Sequence, residues 1–253
     1  MRVRLIGLSL CGLSLACLMG CADSGQAGST LGRLGKSIGS VIAGPSESDI
    51  ASALREALTQ GTATAVTRLG KTDGFWKDPQ ARIPLPAFIS RYESTVRAIG
   101  YGSTLDQFQL TMNRAAEQAA PQALEIFGQA IGDLTLADAK DILQGPNNAA
   151  TEYFRRSTSA LLQQRMQPIV AQATAQTGVT QQYKKLASKA GPILRLSGSS
   201  PPVDIDAYVT QYAIGALFIK IADEEARIRQ NPAARSSELL RKVFGSSLAK
   251  SAP

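Results

Sequence analysis

Histidine is absent from the 253 residues. Its absence removes Ser-His-Asp and Cys-His catalysis, His-ligated zinc, and the Glu-x-x-His ligands of di-iron bundles. Cysteine is nearly as scarce: Cys11, Cys17 and Cys21 all lie in the first 21 positions. Everything after them lacks a thiol for disulfides, metal thiolates or nucleophilic attack, so a domain there must be held by its core alone. Aromatic residues make up only 6% of a chain that is 44% hydrophobic, and alanine is frequent, which suits close helix packing better than a strand-rich core. Period-two alternation between hairpin turns is missing as well, so strands are not expected. No run of five or more basic residues marks a nucleic-acid surface. On these grounds no catalytic residue, metal ligand or cofactor is assigned, and nucleic acid is not an expected partner.

What is present begins at the N-terminus. Arg2 and Arg4 precede an apolar run, Leu5 to Leu18, in the layout of a secretory signal, and the run is too short to span a bilayer comfortably. It ends in Leu18-Met19-Gly20-Cys21, which resembles the lipobox of bacterial lipoproteins: an apolar residue three before the cysteine and a small one directly before it. Cys17 is the competing site, but the residue three before it is the polar Ser14 and the apolar run continues past it, which favours Cys21. The resemblance implies cleavage after residue 20 and acylation of Cys21, with several buried chains as the membrane anchor. In lipoproteins of the enterobacterial type, Asp directly after the cysteine favours the inner membrane. Here Ala22 holds that position, so the resemblance implies the periplasmic face of the outer membrane. Loss of Arg2 and Arg4 lowers the formal charge from +7 to +5, a mild excess that aids solubility and weak attraction to anionic surfaces.

Residues 21–47 are rich in glycine and serine and read as a flexible tether, although Leu31, Leu34, Ile38, Val41 and Ile42 also fit a loose helix. Residues 48–245 read as a single compact all-α domain of many helices, and 246–253 as a frayed tail. Ser48 or Asp49 is placed to cap a helix with Ile50, Leu54, Leu58, Ala65, Val66 and Leu69 on one face, ended by Gly70. A proline-rich loop from Lys71 to Leu85 follows. The pattern then predicts a helix from Pro86 to Ile99 with Phe88, Tyr92, Val96 and Ile99 inward, and another carrying Leu105, Phe108 and Met112 up to a break at Pro121. Residues 123–131 continue it. Thr135 and Asp138 form a capping box for a short helix closed by Gly145-Pro146. Asn148 caps a helix reaching Pro168, with two further helices at 169–177 and 180–190 and a loop at 191–203. Asp204 caps the most apolar segment, containing Ile205, Tyr208, Tyr212, Leu217, Phe218 and Ile221, which is the expected centre of the core. Asn231-Pro232 ends it and starts the last helix.

Several strings carry a further resemblance: Asp73-Gly74-Phe75, Ile83-Pro84-Leu85-Pro86, Met112 to Glu117, Tyr153 to Arg156, Asn231 to Arg235 and Leu239 to Gly245. Together they resemble the bacterial "domain of unknown function 4197" family over about Ile50 to Gly245. Its members are typically exported or lipid-anchored, and the resemblance implies one helical domain with no assigned activity.

Among polar residues, Asn113, Arg114, Glu117, Arg155, Arg156 and Arg235 are the candidates for a ligand or anion site. Arg114 and Glu117 can meet at i,i+3 spacing, and adjacent Arg155 and Arg156 could hold a phosphate or carboxylate. Glu117 and Glu224 are conceivable as an acid and base pair. Trp76 beside Phe75 either stacks on a sugar or partner or closes a core edge. Two function classes follow: a noncatalytic envelope module tethered through Cys21 that binds a protein, glycan or lipid, or a hydrolase built on carboxylates and arginine. A carrier of apolar ligands is a third, and it needs a hollow core.

Overall fold

The computed structural model describes residues 44–183, 185 and 204–246. The expected export signal, Cys21, the tether up to residue 43, the 191–203 loop and the tail beyond residue 246 lie outside them. Helix α1, Glu47–Leu69, starts slightly earlier than the pattern suggested because Ser46 is the cap: its Oγ accepts the Asp49 N–H at 3.1 Å and Asp49 returns the bond to the Ser46 N–H at 3.0 Å. Every core position predicted for α1 is buried.

The expected helix from Pro86 to Ile99 is instead a broken corner. Helix α2 (Ala87–Ser90) and α3 (Glu93–Val96) each make about one turn, and a wide π turn, Arg97–Tyr101, joins them to α4 (Gly102–Ala119). Gly100 adopts φ 90°, a left-handed conformation that turns the chain outward. Ile99 is therefore 47% exposed, while Ile89 and Val96 face the core. Arg97 staples the corner with ion pairs to Glu93 at 2.8 Å and Asp106 at 2.6 Å. Those two acids hold its guanidinium above its ordinary pKa.

Pro121 ends α4 in a 3-10 turn, and α5 (Ala123–Gly132) and α6 (Leu136–Gln144) follow, the latter with the predicted Thr135/Asp138 capping box. Helix α7, Ala149–Thr177, runs through Pro168 rather than ending there. Proline there removes one hydrogen bond to the carbonyl of Gln164, but both residues lie on the exposed face of the helix, while Leu162, Met166 and Val170 keep the buried stripe continuous. Residues 179–183 resume helix after Gly178.

Helix α8, Ile205–Gln230, begins at Asp204 as expected, and its side chain accepts the N–H groups of Asp206 and Ala207. It packs on α7, α1 and α4 and is the centre of the core. Phe127, Phe154 and Phe218 join α5, α7 and α8 through ring contacts of 5.7 and 6.0 Å. After a 3-10 turn, Pro232–Ala234, helix α9 (Glu238–Phe244) closes the domain against α1. The fold is one all-α domain, with no strand among the described residues.

Candidate functional site

Three of the candidate residues share one place. On α4, Asn113 is fully buried and pairs like a peptide unit with the loop before α2: its Oδ1 accepts the Ile83 N–H at 2.8 Å and its Nδ2 donates to the Ile83 carbonyl at 3.1 Å. One turn on, Glu117 Oε1 accepts the N–H groups of Phe75 and Trp76, and its Oε2 accepts from Arg114 at 2.6 Å. Arg114 extends the chain of contacts to Asp73 at 2.6 Å. Asp73 sits at φ 68°, and Gly74 follows because a Cβ there would lie 2.4 Å from the Arg68 carbonyl. The trio thus fastens a loop whose Phe75 and Ile83 fill the core.

A second assembly anchors the same loop from α8. Lys220, 3% exposed, reaches Asp78 at 3.0 Å and donates to Gln80 Oε1 at 2.7 Å. Burial pushes the Asp78 carboxyl up, but the Lys220 hydrogen bond, the Gln80 N–H and the charges of Lys220 and Arg68 outweigh it and hold Asp78 below its ordinary value.

Arg235 lies elsewhere, donating to the carbonyls of Ile228 and Arg229 at the end of α8. Close by in sequence, Glu225 and Arg229 form a buried ion pair at 3.0 Å that joins helix ends. Glu225 accepts the Ala150 and Thr151 N–H groups at the start of α7, where the Asn148 side chain makes no cap bond, and Arg229 donates to the Ile142 and Leu143 carbonyls at the end of α6. Opposite helix-end charges meet opposite side-chain charges. The other conceivable catalytic acid, Glu224, pairs with Arg227 at 2.6 Å. Neither it nor Glu117 is an unpaired carboxylate.

Arg155 and Arg156 do not form a joint clamp. Successive helical residues are about 100° apart, and the two line different clefts. Arg156 borders a cleft with Asp138, Asp141 and Glu152. Arg155 opens onto a groove of about 930 Å³ between the 79–84 loop, α7 and α8. Its Cζ lies 4.7 Å from the centre of the Phe218 ring, and its Nε pairs with Glu152 Oε1 at 3.4 Å. Across the lining, Arg82 stacks 3.7 Å over Trp76. Trp76 is thus covered by a guanidinium rather than presented bare.

The α8 wall is aromatic. Tyr208 and Tyr212, one turn apart, have ring centroids separated by 4.7 Å, and the Tyr208 hydroxyl donates to the Pro84 carbonyl at 3.1 Å. Burial, then the neighbouring Tyr212 hydroxyl, raises the Tyr208 pKa. Tyr212 is 39% exposed although its spacing suggested an inward position. Among the described residues, the lining contains two arginines, three glutamines and no carboxylate. Sequence reasoning missed Arg82, Tyr208, Tyr212 and Gly215 as a set. The available signal was a glycine and two tyrosines interrupting the most apolar helix.

A separate apolar space beside Leu54, Ile221 and Phe244 measures about 20 Å³, one water's worth, and gives a carried ligand no room. Among the described residues, no group of acidic residues is arranged to hold a metal ion. No curated protein and no solved structure matches the chain. Residues 44–245, which hold the loop, the helix-end clamps and the groove, match the profile described as "Protein of unknown function (DUF4197)", and the chain belongs to that family.

Proposed function

We propose that this chain is an exported lipoprotein, acylated at Cys21 and held at the periplasmic face of the outer membrane, whose helical domain is a noncatalytic binding module. The groove beside Arg155 is its ligand site. The observation that carries the binding half is the contrast in polar partners. Asn113, Arg114, Glu117 and Arg235 are used on backbone and neighbouring side chains at close range, whereas Arg82 and Arg155 border an open groove with only longer contacts, to Gln109 and Glu152 at 3.4 Å each. A groove without carboxylate, thiol or imidazole among the described residues lacks an acid and base pair there, and tyrosine with a raised pKa is a poor base at neutral pH. The anchoring half is supported by the charged, apolar and Leu18-Met19-Gly20-Cys21 segments in order. No helix among the described residues is long and apolar enough to cross a membrane.

Both halves have direct tests. Cys21→Ser should abolish acylation and move the chain out of the detergent phase; unchanged processing and partitioning would overturn the anchor. A photo-crosslinking residue at Tyr212 should capture an envelope component in living cells, while one at Leu124, exposed on α5, should not. Equal capture at both sites, or none at Tyr212, would overturn the groove as the ligand site.

A further inference from the structure

We infer that the groove takes an anionic glycan strand, a linear sugar chain bearing carboxylates. This rests on the groove being the ligand site. Charge gives the first step: among the described residues Arg82 and Arg155 line the groove and no carboxylate does, so its complement is an anion. Each guanidinium sits over an aromatic ring, 3.7 Å from the Trp76 centroid for Arg82 and 4.7 Å from the Phe218 centroid for Arg155. A planar guanidinium with several N–H donors suits a carboxylate even where, as in Arg155, one N–H already meets Glu152 at 3.4 Å.

The rest of the lining selects sugar over polypeptide. Among the described residues there is no strand edge for a peptide to extend, and the walls from α7 and α8 have their backbone groups bonded within helices. An amphipathic helix would need a continuous apolar trough, but the amides of Gln80, Gln163 and Gln211 interrupt it. Amides that both donate and accept are suited to vicinal hydroxyls. The rings of Tyr208 and Tyr212 offer flat apolar surface for the C–H face of a sugar, with a polar edge beside it. From Tyr208 to Ile219 the α8 wall runs about 16 Å, long enough for several linked rings.

Gly215 supplies an independent observation. It lies mid-way along α8 in the groove wall, yet apart from its own helix backbone and chain neighbours nothing lies within 4 Å of where its Cβ would be. Packing does not require glycine there, and glycine weakens a helix relative to residues with a side chain. Bare backbone at that point lets a ring approach the helix closely. Gly128 of α5 is equally open but does not line the groove, and it serves as the control.

The test uses the full chain in detergent micelles and three calorimetric probes: tetragalacturonate, its methyl ester, and tetraglutamate. The ester keeps the rings and loses the charge; the peptide keeps the charge and loses the rings. Tetragalacturonate should bind at least about tenfold more tightly than either, and Arg82→Gln or Arg155→Gln should each weaken it about tenfold. Gly215→Leu should raise the melting temperature yet weaken binding by a similar factor, while Gly128→Leu raises the melting temperature and leaves binding alone. Equal affinity for the methyl ester overturns the inference. So does equal affinity for tetraglutamate, which would leave the groove as a site for acidic peptide. Failure of all three probes while Tyr212 still crosslinks in cells also overturns the glycan, and the groove assignment survives. If that crosslink fails too, both fall.

Discussion

The loop over residues 71–86 has two faces that handle polar groups in opposite ways. On its inner face, the Ile83 peptide unit is matched atom for atom by Asn113, Glu117 accepts two loop N–H groups, and Lys220 meets Asp78 and Gln80. Among the described residues no buried side-chain polar atom lacks a partner. On its outer face, Arg82 is stacked over Trp76, donates to Gln109 at 3.4 Å and lies near enough to Asp106 to lower its pKa, and the groove it borders is open. The difference teaches that polar residues here divide by burial into those that fix the fold and those available to a ligand. A buried unpaired group costs several kcal/mol, whereas an exposed one is paired by water at little cost.

That division can be broken by mutation. The largest effect is expected at the helix-end clamp. Glu225→Ala leaves Arg229 buried without its partner and the start of α7 uncapped, and should cost about 3–5 kcal/mol in denaturant unfolding. A loss below about 1 kcal/mol would show the pair to be dispensable. Asn113→Ala strands the Ile83 N–H and carbonyl and should cost about 2 kcal/mol, read the same way. Hydrogen exchange should then speed up at Ile83 and Phe75 more than in α9.

Acid sensitivity sharpens the comparison at Asp78. Its carboxyl is held below the ordinary value, so the stability it lends is fully present above the unfolded value near about 3.9 and is lost as pH falls through the lower folded value. Asp78→Asn should make the acid limb of the stability curve shallower, and an unchanged limb would remove Asp78 from the account. Next in size, Gly215→Leu should stabilise by up to about 1 kcal/mol. Smallest of all, Arg82→Gln and Arg155→Gln should change stability by no more than about 0.5 kcal/mol, since both are exposed. A cost like that of the inner face would place them with the structural residues.

Much of the fold was legible in local pattern. The stripe of α1, the Thr135/Asp138 box, the Pro121 break and the Asp204 cap all depend on residues within four positions of one another. Failures arose where exposure, backbone geometry or contacts outside the apolar stripe override the simple pattern. Pro168 looked like a stop, but its place on the exposed face and continuity of the buried stripe let α7 continue. The helix ending at Ile99 looked regular, but Gly100 and the Arg97 staple turn it out of the core. For the site, Arg114 with Glu117 was readable as an i,i+3 pair, yet nothing local tells that Glu117 faces a loop 41 residues away. Arg155 and Arg156 were expected to act together, but they border different clefts, which adjacency in the chain does not reveal.

By itself, the amino-acid order determined the helical class, because caps, breakers and the 3.6-residue stripe act within a turn or two. It also ruled out histidine and, beyond residue 21, cysteine chemistry, because composition needs no geometry. Only the tertiary structure decided which polar groups are tied up in the fold and which line an open groove. Burial and partner distance arise when helices far apart in the chain pack together, and those two quantities separate an arginine tied into the fold from one that borders the groove.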